Sequence, residues 1–218
     1  EDKPVPADAP IDKKDAARIF DEVWTAFDQE YPHFPTLPKL DWKKLGDEQR
    51  KVLGRVETSF DLSAVLADML ASLQDLHVWV KCGDDAPPGW APDRPLNGSW
   101  KGSQAVIGKL TDAQHGLLWG RTDDGIGYLN VSKLEDKDLP TDFDSALESL
   151  ADTYSLVVDL RFNGGGDETL AQAIAGRFLD EERVYSTNQY RSGPEHDDFG
   201  EVLQRKCGPR GPWRYESP

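Results

Sequence analysis

The chain has 218 residues, with 40 acidic against 25 basic side chains and a formal net charge of −15. That balance argues against nucleic acid and anionic membranes as partners, because phosphate contacts need clustered Lys and Arg; it serves solubility instead. No apolar run is long enough to span a bilayer, and the length is sufficient for a real core in one domain or two small ones.

Residues 1–10 are proline-rich and charged, which predicts a loose arm. Asp12 is placed to cap a helix carrying Ala16, Ile19, Phe20, Val23, Trp24 and Phe27 on one face, ended by Pro32, Pro35 and Pro38. A second helix is predicted from about Asp41 to Val56, with Trp42, Leu45, Val52 and Val56 inward. Ser59 caps a third, in which Leu62, Val65, Leu66, Met69, Leu70 and Leu73 form a stripe. Residues 1–76 therefore read as an arm and a three-helix bundle. From residue 77 the periodicity becomes strand-like. His77–Lys81 alternates, and Ala86–Gly102 is a Pro- and Gly-rich loop. Ala105–Leu110, His115–Trp119 and Gly125–Val131 read as strands, Phe143–Leu150 as a helix and Arg183–Tyr190 as a strand, with an irregular polar tail after it. The fold class is mixed α and β, with an α/β core over 77–218.

The organising stretch is Leu156 to Phe178. Leu156–Leu160, with paired valines, has the composition of a strand buried on both faces. Gly164, Gly165 and Gly166 permit a tight turn, Asp167 or Glu168 can cap the helix that follows, and Leu170, Ala173, Ile174, Arg177 and Phe178 recur at helical spacing on a mostly apolar face. A phosphate loop would need GxGxxG or GxxxxGK[ST], and neither is present. A bare connection and an oxyanion hole stay open, the second because a glycine turn before a helix presents free amides to negative charge.

Asp159-Leu-Arg-Phe-Asn-Gly-Gly-Gly166 resembles the D-[LV]-R-x-N-x-G-G signature of the C-terminal-processing and tricorn-type serine peptidases. Phe20-Asp-Glu-Val-Trp24 with Tyr31-Pro32 and Asp41-Trp42, Leu73-Gln-Asp-Leu-His-Val78, and Asp124-Gly-Ile-Gly-Tyr-Leu129 resemble three further blocks of that family, in family order. The resemblance implies an incomplete α/β core of that peptidase type. The roughly 40 residues between His77 and the core are too few for a domain of at least about 50, so the family's PDZ insert is expected to be absent. The fold that the resemblance implies is also used by the repeats of interphotoreceptor retinoid-binding protein, which carry apolar ligands. That gives an alternative reading as a non-catalytic module for apolar ligands or peptides, with Trp24, Trp42, Trp79, Trp90, Trp100 and Trp119 lining a cleft.

For the peptidase reading, the resemblance makes His77 the general base and Gly164 and Gly165 the oxyanion-hole amides, with His77 within roughly 10 Å of the turn. Asp75, Asp159, Arg161 and Asn163 are structural support: Asp159 and Arg161 pin the turn by hydrogen bonds, and Asn163 favours its tight geometry. Leu76 stands where tricorn-type members carry serine or glycine. The reactive serine of the family follows the next core strand. Ser186, Ser192 and Ser217 lack its context, so no nucleophile is read in this chain and the 218 residues alone are expected to be inactive. The substrate would be a peptide or unfolded protein, and a further C-terminal segment or an oligomer partner would complete the core. No cofactor and no metal site is read. Glu195-His-Asp-Asp198 has no ligand spacing and reads as a solvated loop, and His33 and His115 are given no catalytic part. The chain opens Glu-Asp-Lys, and an exported protein that has lost a leader is expected. Cys82 and Cys207 are either one disulfide or two unpaired thiols. Asn97-Gly-Ser99 and Asn130-Val-Ser132 match the glycosylation sequon.

Overall fold

Asp12 accepts hydrogen bonds from the amides of Lys14 and Asp15 and so starts α1 (Lys13–Glu30), in a computed structural model that describes residues 6–93, 98–212 and 214–215. The chain divides into two units. One comprises Glu1–Arg94 with Gln189–Val202, the other Pro95–Asn188 with Leu203–Pro218. The boundary at 76/77 read from the sequence falls inside the first unit.

In the first unit α1 is followed by α2 (Trp42–Arg50) and α3 (Ser59–Ala71), with short 3-10 turns at Phe34–Thr36 and Leu53–Arg55. The second predicted helix is therefore shorter than expected. The third is capped by Thr58, not Ser59: Thr58 and Asp61 satisfy each other's backbone amides in a capping box. All three helices feed one core, with Phe20 and Met69 fully buried among Leu62, Leu66, Leu70 and Trp42. Each such side chain contributes about 1.5–3 kcal/mol by leaving water. Trp24 and Trp42 stack at 6.3 Å, and each indole N–H donates to the other's carbonyl. A Cβ at Gly46 would run into the Trp24 indole, so this close approach requires glycine. Residues 7–11 are not the loose arm expected. Ile11, Ser59 and Phe60 exchange backbone hydrogen bonds between this segment and residues 57–60.

The second unit carries α4 (Trp100–Ile107), β1 (Leu110–Asp112), β2 (Leu117–Arg121), β3 (Ile126–Val131), α5 (Leu139–Ser149), β4 (Ser155–Asp159), α6 (Glu168–Ala175), β5 (Arg183–Asn188) and β6 (Leu203–Cys207). Ala105–Ile107 is thus helical, not strand. Ser99 caps α4 through the Gly102 amide, and Gly108, at φ 80°, ends it. The sheet order is β1-β2-β3-β4, with β1, β2 and β3 antiparallel and β4 parallel to β3 through the α5 crossover. Leu139, Phe143, Ala146 and Leu147 of α5 pack on Leu117, Leu129 and Val131, all essentially buried. β5 and β6 form a separate antiparallel pair, and β6 lies in the stretch read as irregular.

The both-face burial expected of β4 is not found. Among the described residues β3 is its only strand partner, and Val157, Val158 and Leu160 are 47%, 37% and 58% exposed. Val158 and Leu160 line an apolar groove of about 590 Å³ with Val131, Leu134, Ile174 and Phe178. A valine run reports a strand that suits apolar neighbours; whether those neighbours are present is not written in it. Both cysteines are buried free thiols. Asn130 is 1% exposed and donates to the Asp159 carbonyl, so the second sequon has no accessible acceptor; Asn97 lies outside the described residues.

Candidate active site

His77 does not sit on a strand. Residues 76 and 77 form a turn, and Asp75 makes it: its Oδ1 accepts from the His77 amide at 2.8 Å, while Val78 N donates to the Asp75 carbonyl. The alternation of Val78 and Val80 reflects their packing on the helical core rather than a ladder. The His77 side chain is 94% exposed, and its Nδ1 is 3.2 Å from Asp75 Oδ1. The other carboxylate oxygen accepts from the Tyr31 hydroxyl at 3.0 Å. Burial pushes the Asp75 carboxyl up, but the His77 amide and the Tyr31 hydroxyl outweigh it and hold the group below the usual carboxylate range. The imidazole lies at a shallow pocket of about 430 Å³ that includes Tyr31, His33, Leu37, Leu76 and Trp90. Leu76, beside the imidazole, is 61% exposed.

The glycine turn belongs to the second unit. Asp159 ends β4 with its side chain 3% exposed and is neutralised by Arg161, whose Nε and Nη2 donate to the two carboxylate oxygens at 2.9 and 2.7 Å. Tyr128 Oη donates to the same carboxylate at 2.6 Å, and the Arg161 amide at 3.0 Å. The guanidinium is the main reason that the Asp159 carboxyl lies far below its ordinary range, against the opposing effect of burial. Burial, and then the carboxylate, push the Tyr128 phenol up to about 12. Asn163 ties the turn on both sides: Nδ2 donates to the Val131 carbonyl at 2.9 Å, and Oδ1 accepts from Gly165 N at 2.7 Å.

Gly165 and Gly166 have φ of 95° and 132°, and a Cβ at Gly166 would overlap the Leu134 backbone. Gly164 N donates to the Ser132 carbonyl at 2.9 Å. The two amides assigned to an oxyanion are therefore both engaged within the chain, and Gly165 is held by a side-chain oxygen where Gly164 is held by a backbone one. Asp167 caps α6 through the Thr169 amide.

The remaining candidates separate from these two groups. The loop carrying His196 is solvated at Glu195 and Asp197, but the His196 ring is packed: it stacks on Phe34 at 3.9 Å and its Nε2 is 3.0 Å from Asp28. His115 Nδ1 lies 2.5 Å from Asp142, and with Asp136 and Asp138 the ring forms a group whose ligand atoms fall within 4.8 Å of one another. The hydrogen bond to Asp142 raises the imidazole's basicity, so a cation held by carboxylates is the state these contacts favour. Trp24 and Trp42 are stacked core, Trp79 is 68% exposed, and the apolar groove at β4 contains none of them. Sequence reasoning missed Tyr31. Its link to Asp75 spans 44 residues and has no local signal.

Two family models match the chain: peptidase family S41 over residues 125–209, and the tricorn protease C1 domain over residues 12–71. A crystal structure of a candidate peptidase from Parabacteroides merdae superposes with a TM-score of 0.81 at 25% identity, covering 95% of this chain and 66% of that one. The structure of mature CPAF superposes with a TM-score of 0.52 at 12% identity, covering 81% of this chain and 60% of that one, a likeness of fold. The chain thus spans less than two thirds of the length of either. A search of curated proteins finds no match.

Proposed function

The chain belongs to the C-terminal-processing and tricorn-type peptidase family, and we propose that it carries the base and the oxyanion donors of a serine peptidase acting on peptides or unfolded protein chains. The observation that carries this reading is the Asp75–His77 pair. A carboxylate on Nδ1 keeps the ring proton there and leaves the Nε2 lone pair free. In the proposed reaction a serine hydroxyl attacks the scissile carbonyl while Nε2 takes its proton. A turn amide stabilises the oxyanion, and the imidazolium then protonates the departing amine to leave an acyl-enzyme. Water, deprotonated by the same nitrogen, releases the acid product. Of the two amides Gly165 suits the role better, because it is held by the Asn163 side chain, whereas Gly164 N is held by the Ser132 backbone carbonyl.

The nucleophile is proposed to come from sequence that follows these residues in a longer polypeptide. The outer edge of β4, without a partner strand among the described residues, and its apolar groove support this, as does the greater length of the relatives. The same reading takes α1–α3 as a helical bundle, the PDZ insert as absent and the protein as exported. The test is a serine-directed fluorophosphonate. We expect no stoichiometric labelling of the 218-residue chain, and labelling with peptide cleavage once the chain is extended to the length of its relatives. Labelling of Ser186 or Ser192 in the short form, with cleavage lost on substituting that serine, would overturn the placement.

A further inference from the structure

Tyr31 closes α1 and is 8% exposed. Its ring meets Phe34 edge-on at 5.3 Å and His33 edge-on at 5.4 Å, with Phe27 at 5.9 Å. Its main-chain oxygen accepts from Arg191 Nη1 at 3.0 Å. Ring and backbone are thus both held, and the hydroxyl has a fixed place from which to donate to Asp75 Oδ2. Burial first, and then the Asp75 carboxylate, push the phenol well above its ordinary range, which favours the protonated hydroxyl that donates to Asp75. Asp75 in turn follows Gln74, whose φ of 53° lies in the left-handed region that residues with a Cβ adopt at a cost. The turn that presents Asp75 is therefore held against a local preference. An unrestrained carboxylate can rotate and offer His77 either oxygen or none. With Oδ2 bound by Tyr31, Oδ1 is the oxygen that serves both the amide and Nδ1 of His77.

We propose that Tyr31 is a positioning residue for His77 that acts through Asp75. It fixes the carboxylate so that the imidazole keeps its proton on Nδ1 and presents Nε2 as the basic nitrogen. This rests on the reading of His77 as the base, yet the tautomer is a property of the 218-residue chain that can be measured without any catalysis.

The experiment is long-range ¹H–¹⁵N correlation of the His77 ring at a pH where the imidazole is neutral. In the natural chain the Nδ1–H form should dominate, opposite to the preference of a free imidazole side chain. Tyr31→Phe keeps the aromatic packing and removes only the hydroxyl. It should raise the share of the Nε2–H form about two- to fivefold with the near-ultraviolet circular dichroism unchanged. Asp75→Asn is the second variant, and it should reverse the tautomer outright whether or not Tyr31→Phe folds. An Nε2–H ring in the natural chain, an unchanged tautomer in a folded Tyr31→Phe, or Nδ1–H retained in Asp75→Asn would each overturn the proposal. In the extended chain Tyr31→Phe should lower kcat about tenfold with KM unchanged. Full activity in His77→Ala would remove the base reading while leaving the tautomer result standing, so the two failures are distinguishable.

Discussion

The Asp75–His77 pair and the glycine turn are built in opposite ways. The glycine turn is over-determined: Asp159, Arg161, Tyr128, Asn130 and Asn163 tie it to β3 through side-chain hydrogen bonds, and Gly164, Gly165 and Asp167 tie its backbone to Ser132, Asn163 and Leu134. His77 is held by one carboxylate and is otherwise bare to solvent, at 94% exposure. A proton carrier must be reached and must exchange its proton, whereas an electrostatic cradle works only if its dipoles do not reorganise during the reaction. Rigidity is thus concentrated in the glycine turn and withheld at the imidazole.

The sharpest way to break the contrast is at Gly166. Its φ of 132° and the Leu134 backbone leave no place for a Cβ, so Gly166→Ala should cost about 2–4 kcal/mol in denaturant unfolding. Gly164 has no such φ, and a Cβ there meets Ser132 O at 3.9 Å, so Gly164→Ala should stay within about 1 kcal/mol. Equal losses at the two positions would show that the turn is not pinned on Leu134.

A smaller effect is expected from Asp159. Its carboxyl is more acidic folded than unfolded, so the stability it contributes is fully present above the unfolded value of about 4 and is lost as pH falls below it. Asp159→Asn should lower stability at neutral pH and flatten the decline of melting temperature below about pH 4. An unaltered acid limb in the variant would assign that decline to other groups. His115 runs the other way. Its imidazole is more basic folded than unfolded, so its contribution is complete below about pH 6.5 and disappears as pH rises through the folded value. His115→Gln should therefore lower the melting temperature at pH 5.5 and leave it nearly unchanged at pH 9, the smallest shift expected here. A loss that does not depend on pH would mean that the ring acts by packing rather than by charge.

What was legible in the sequence was local. The Asp12 cap, the stripe of α3, the strand around Leu129 and the strand–glycine–helix order each follow from neighbours within a few residues. What was not legible depends on partners. Ala105-Val-Ile107 has strand-forming side chains but is drawn into α4, which Ser99 caps and Gly108 ends. Leu203–Cys207 has no apolar alternation and becomes β6 because β5 pairs with it. His77–Lys81 alternates, yet the Asp75 side chain captures the His77 amide and turns the chain. The same carboxylate links to Tyr31 across 44 residues, which no window along the chain can contain.

The most direct measurement is the single-turnover acylation rate of the chain extended to the length of its relatives, compared with its His77→Ala form on one peptide ester. If His77 is the base, the rate should fall by ~10²–10⁴-fold, the usual contribution of a positioned general base, with substrate affinity retained. A rate within a factor of about three of the parent would contradict the assignment of His77 and, with it, the account of Asp75 and Tyr31 as its support.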